Sequence, residues 1–138
     1  MNPKKELSNI KKIRYEIKAL EDAITEIEAR LTRISPVLSD MPMGSSGSDK
    51  MTDGVASMIE LKDKLSKKIC EYNKHITKVT EKILQMDDPT YRTVLYRYYV
   101  LNDSLEKISV AINYSYHYTC RMHGYALLEF EKTTRHDN

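Results

Sequence analysis

Eight aliphatic residues near the start of the chain recur in alternating steps of three and four: Ile10, Ile13, Ile17, Leu20, Ile24, Ile27, Leu31 and Ile34. That spacing is the a/d seam of a coiled coil, sustained over about four heptads. Asn2 and Pro3 suit an N-cap and a first helical position, and Ser35-Pro36 predicts the end of the helix. A helix of roughly thirty residues spans about 45 Å. Alone it cannot bury such a seam, so it requires a partner.

The next stretch, residues 35–54, reads SPVLSDMPMGSSGSDKMTDG and breaks the pattern. Its prolines, glycines and serines predict a flexible loop. A second seam then runs through Val55, Met58, Leu65, Ile69, Tyr72, Ile76, Val79, Ile83 and Met86, interrupted where Lys62 falls on a core position. Two long heptad helices joined by a loop predict an antiparallel coiled-coil hairpin over residues 1–87. The hairpin is expected to oligomerise, most simply as a dimer forming a four-helix bundle. The residues expected to carry that contact are Ile10, Ile13, Ile17, Leu20, Ile24, Ile27 and Leu31 with Leu65, Ile69 and Ile76. Residues 55–86 also hold seven lysines against four acids, which reads first as the solvated face of a coiled coil.

Asp88-Pro89 restarts the chain as cap and first helical position. Three short helices are predicted after it, over 89–101, 104–112 and 115–131, with residues 133–138 as a disordered tail. Asp103 is expected to cap the second, with Glu106 as its capping-box partner. Ser115 is expected to cap the third. The last two helices carry the chemistry. Leu105, Ile108 and Ile112 form an inner face, and Ser109 is small where two helices cross. Asn113 stands where the turn needs left-handed backbone, and Thr119 and Met122 return the last helix to the core. This spacing is that of a helix-turn-helix, placed here within residues 88–132.

A recognition helix in the major groove presents its N-terminal and outward side chains to DNA. Those are Ser115, Tyr116, His117, Tyr118, Arg121 and Tyr125. The planar fork of Arg121 suits guanine, and the hydroxyls suit phosphate oxygens. Arg92 and Arg97, on the preceding helix, face two readings: contact with backbone phosphate, or an ion pair with Asp103. Eight of the ten tyrosines fall between residues 91 and 125, so about half are expected to pack between helices rather than touch DNA.

The run Arg92-Thr-Val-Leu-Tyr-Arg97-Tyr-Tyr, followed by Ser104–Ile112, Tyr114-Ser115 and Arg121–Leu127, resembles region 4 of bacterial sigma factors. The chain as a whole resembles the ArpU- and RinA-like late-gene activators, small phage-encoded regulators of Gram-positive bacteria. Thr119 departs from the Val or Ile usual in that pattern, and residues 115–125 hold a single arginine. The resemblance implies an all-α protein with a sigma-like helix-turn-helix behind a helical oligomerisation region. It implies a sequence-specific DNA-binding regulator, an activator of phage late genes at double-stranded promoter or operator DNA, with host RNA polymerase as a further partner. Two alternatives stand beside it: DNA recognition for packaging in the manner of a small terminase subunit, and a protein-interaction module that binds polymerase or a repressor.

Composition narrows the classes that remain. The chain has 138 residues, 41% hydrophobic and 30% charged, which suits a folded domain. With no Trp, one Phe and four Gly, a β-rich fold is not expected. A net charge of +2 is a small electrostatic footprint for a nucleic-acid binder. Two cysteines, Cys70 and Cys120, imply no disulfide framework. The spacing of His117, Cys120 and His123 drifts around a helix and does not converge on a metal. No phosphate loop, dinucleotide fingerprint or catalytic triad is present, so neither an enzyme nor a cofactor is expected. No apolar run is long enough to span a membrane, and the expected location is the cytoplasm of a bacterial host cell.

Overall fold

The structure, a computed structural model, describes the backbone of residues 2–40 and 45–136, with side chains at 2–33 and 51–135. It is all-helical. In order come α1 (Pro3–Asp40), α2 (Ser45–Leu84), α3 (Pro89–Leu95), a π-helical turn (Tyr96–Val100), α4 (Leu105–Ile112) and α5 (Tyr116–His136). Among the described residues no helix is long and apolar enough to cross a membrane.

Two boundaries differ from the sequence-based expectation. Residues 35–40 and 45–54 of the expected loop are helical, and 41–44 lie outside the described residues, as does the side chain of Ile34. Pro36 removes one hydrogen bond, a local cost that a 38-residue helix absorbs. Gly54, read as a linker glycine, is a packing residue: a Cβ there would lie 2.7 Å from Cδ2 of Leu31. At the other end, 133–136 continue α5 rather than fray. The hydroxyls of Thr133 and Thr134 donate to the carbonyls of Glu129 and Phe130 at 3.0 and 2.7 Å, and Arg135 pairs with Glu131 at 3.1 Å.

The chain forms two compact units, Met1–Lys12 with Tyr72–Asn138, and Ile13–Glu71. In the first, Leu7 and Ile10 pack with Val79, Ile83, Met86, Leu95, Tyr99, Ala126 and Phe130 in one buried cluster. The expected boundary at 87/88 therefore falls inside a single core. Ile10 and Ile76, expected to join copies, instead pack in or against that core. The physical reason is that an a/d seam specifies burial but not what does the burying. Glu6 is buried beside it and accepts from Lys82 at 2.7 Å, with Lys78 3.6 Å away, so its charge is compensated. The connection between α2 and α3 is short: Gln85 and Met86 donate back to Lys82 and Ile83. Asp88 then caps α3, accepting from the amides of Thr90 and Tyr91 at 2.8 and 3.1 Å.

The second unit holds the remainder of α1 and the greater part of α2. Leu31 lies against Gly54, Glu28 pairs with Lys62 at 3.5 Å, and Glu16 with Lys68 at 2.7 Å, so the helices run antiparallel there. The hydrogen bonds to Glu16 and then Glu71 hold the Lys68 ammonium above its ordinary pKa. Ile13 and Ile24 are buried, while Ile17, Leu20, Ile27, Leu31 and Leu65 are half-buried. The inner row of α2 here is Gly54, Met58, Leu61, Leu65 and Lys68, all half-buried. Val55 and Ile69, placed on the seam by sequence, are exposed, and so is Lys62. α2 carries two adjacent apolar stripes, and spacing alone does not say which one α1 covers.

Candidate nucleic-acid interface

α4 begins differently from the sequence-based reading. Its cap is Ser104, whose Oγ accepts from the Lys107 amide at 3.1 Å, so no capping box forms with Glu106. Asp103 is occupied elsewhere: its nearly buried carboxylate pairs with Arg97 and Lys107, each at 3.3 Å. Asn102 takes left-handed backbone at φ 60°, and the π turn before it is closed by the Leu101 amide donating to Tyr96 at 3.1 Å. Neither feature has a proline or glycine to announce it.

The end of α4 follows the expected chemistry. Asn113 adopts φ 62°, ψ 43°, which an asparagine tolerates better than most residues. Its amide and that of Tyr114 close the turn on Val110 and Ser109 carbonyls. Ser109 is buried, its Oγ donating to Glu106 at 2.6 Å. Ser115 starts α5 and accepts from the Tyr118 amide at 3.1 Å. Thr119 is fully buried, and its hydroxyl donates to the Ser115 carbonyl at 2.8 Å, so a polar residue fits an apolar position with its hydrogen bond made. Met122, Ala126 and Phe130 continue the buried face.

Opposite that face lies a continuous exposed strip. Ser115, Tyr116, His117, Tyr118, Arg121 and Tyr125 are all exposed. Tyr114, which the sequence-based reading omitted, joins them, its ring 5.2 Å from that of Tyr118. Val110 on α4 and Leu128 on α5 are exposed as well. Tyr116 has its hydroxyl pKa raised, first by a hydrogen bond with Cys120. Tyr91 is also shifted upward, by burial and then by the Asp88 carboxylate. Arg92 is half-buried on α3, and Arg97, also half-buried, pairs with Asp103.

His117, Cys120 and His123 diverge around α5. His117 is exposed, Cys120 is half-buried, and His123 turns inward, its Nε2 3.0 Å from the Tyr99 hydroxyl. Among the described residues no three His, Cys, Asp or Glu side chains group as a metal site. Burial, then the Lys11 charge, holds His123 below its ordinary pKa. Burial, then Tyr98, pushes Tyr99 up to about 12. Lys11 caps this cluster, its Nζ 3.4 Å from the centre of the Tyr98 ring.

No family model, curated protein or solved structure matches the chain.

Proposed function

We propose that α4, the Asn113 turn and α5 form a sigma-like helix-turn-helix, and that the chain is a sequence-specific regulator of phage transcription. In this reading α5 enters the major groove of promoter or operator DNA. α1 and α2 form a coiled-coil hairpin that joins copies. The observation that carries it is the division of α5 into two faces. Thr119, Met122 and Ala126 are buried behind a left-handed turn, while Ser115, Tyr116, His117, Tyr118, Arg121 and Tyr125 are exposed along the first half of the helix. Arg121 reads a base, and the hydroxyls of Ser115, Tyr116 and Tyr118 position the helix on phosphates. Association of two copies supplies, through effective concentration, affinity that a net charge of +2 does not.

The test is selection of bound duplexes from a random pool, repeated with Arg121→Ala. One enriched motif is expected, relaxed in the variant at a single base pair worth about 1–3 kcal/mol. Absence of enrichment at low salt refutes direct reading of DNA.

The same strip favours a second reading. Tyr114, Tyr116, Tyr118, Tyr125, Val110 and Leu128 are exposed on α4, the turn and α5, a composition typical of protein interfaces. A module that docks on polymerase or a repressor would retain that partner in a pull-down while failing the duplex selection.

A further inference from the structure

The second unit leaves one apolar surface unspent. Val55, Ile59, Lys62, Ser66 and Ile69 repeat along α2 in steps of four and three, the spacing of a heptad seam. They lie beside the row that packs on α1, and they are open: Val55 is 37% exposed, Ile59 62% and Ile69 39%. A helix with two apolar stripes belongs in a bundle, with a neighbour on each.

We propose that the neighbour on this stripe is a second copy of the chain, running antiparallel, with Ile59 of one copy over Ile69 of the other. The inference rests on the reading of the chain as self-associating and names the surface that does it. The stripe is self-complementary only when reversed. In an antiparallel pair a positions meet d positions, so a two-fold axis level with Lys64 sets Ile59 against Ile69 twice. The same axis sets Lys62 against Ser66 twice and brings Asp63 of each copy within one turn of Lys62 of the other. Lys62 meanwhile keeps Glu28 of its own chain 3.5 Å away at the rim. A parallel copy would instead place Lys62 against Lys62 in the middle of the seam, where like charges repel.

The experiment uses the full-length chain. Sedimentation velocity across a concentration series is expected to show a dimer. Ile59→Lys and Ile69→Lys are each expected to weaken it at least about tenfold, since each places two ammonium groups in an apolar contact. Both sites are exposed, so helicity by circular dichroism is expected to stay unchanged; Ile59→Leu is expected to remain dimeric. Direction is read with Ile59→Cys and Ile69→Cys proteins, each also carrying Cys70→Ser and Cys120→Ser. Mixed, they are expected to join through a short bis-maleimide; alone, each should not, because Ile59 of one copy lies roughly 15 Å along the axis from Ile59 of the other. A monomer at every concentration overturns self-association itself. An assembly that both Lys variants leave intact overturns this surface alone. Self-crosslinking of Ile59→Cys overturns the antiparallel direction.

Discussion

Residues 88–138, produced alone, are expected not to fold. Such a fragment keeps Leu95, Tyr99, Ala126 and Phe130 but loses Leu7, Ile10, Val79, Ile83 and Met86, each no more than 1% exposed. Burying an aliphatic side chain of this size stabilises a fold by about 1.5–3 kcal/mol, so five of them contribute roughly 8–15 kcal/mol. A domain has about 5–15 kcal/mol in all. The loss is of the same order as the whole, and it also turns Phe130 and Leu95 out to water. Circular dichroism with urea and thermal melts is the assay. The fragment is expected to show low helicity and no cooperative transition. A chain in which Gly/Ser residues replace 13–71, joining Met1–Lys12 to Tyr72–Asn138, is expected to recover one. A sharp transition in the 88–138 fragment, at helicity like that of the joined chain, would refute the shared-core argument.

Two further outcomes follow from particular residues. Asn113→Ala puts a side chain with no local hydrogen bond into left-handed backbone, and urea unfolding is expected to show a loss of about 1–2 kcal/mol, whereas Asn113→Gly is expected to be near neutral. His123, its pKa depressed by burial and by Lys11, binds a proton less readily folded than unfolded. Its contribution is complete above its unfolded pKa of about 6.5 and is lost as pH falls from there through the folded value. Unfolding free energy is therefore expected to drop as pH falls below about 6.5, and to drop less in His123→Asn; equal slopes in the two proteins would remove His123 as the cause.

Much of this architecture is legible from local chemistry. The Asp88 cap before Pro89, the left-handed Asn113 and the Ser115 cap each depend on a few neighbouring atoms, and the structure forms all three. The burial of Ser109, Thr119 and Met122 follows from helical spacing in the same way. What sequence does not reveal is choice between equals. Asp103 and Ser104 are adjacent and both able to cap; Arg97 draws the aspartate away, and the serine takes the role. Ile10 lies on the same seam as Ile13, yet the two fall in different units. Val55 and Leu61 are both apolar residues of α2, and only the position of α1 separates the exposed one from the half-buried one. In the candidate interface the outward residues were legible by periodicity, but Tyr114, sitting before the helix begins, was not.

The core that holds Leu7 and Ile10 against Phe130 also has a consequence for how the protein is made. Its contacting side chains are separated by about 120 residues of chain, so the N-terminal strip of that core emerges from the ribosome long before its counterpart exists. At roughly 5–20 residues per second the wait is about 6–24 s, during which Leu7 and Ile10 stay unsheltered. Local helices can form during this interval, but the first unit cannot close until Phe130 has been synthesised and released, and closing so long a loop adds its own entropic cost. The first unit should therefore become resistant to protease only once Phe130 has left the ribosome, however early α1 turns helical.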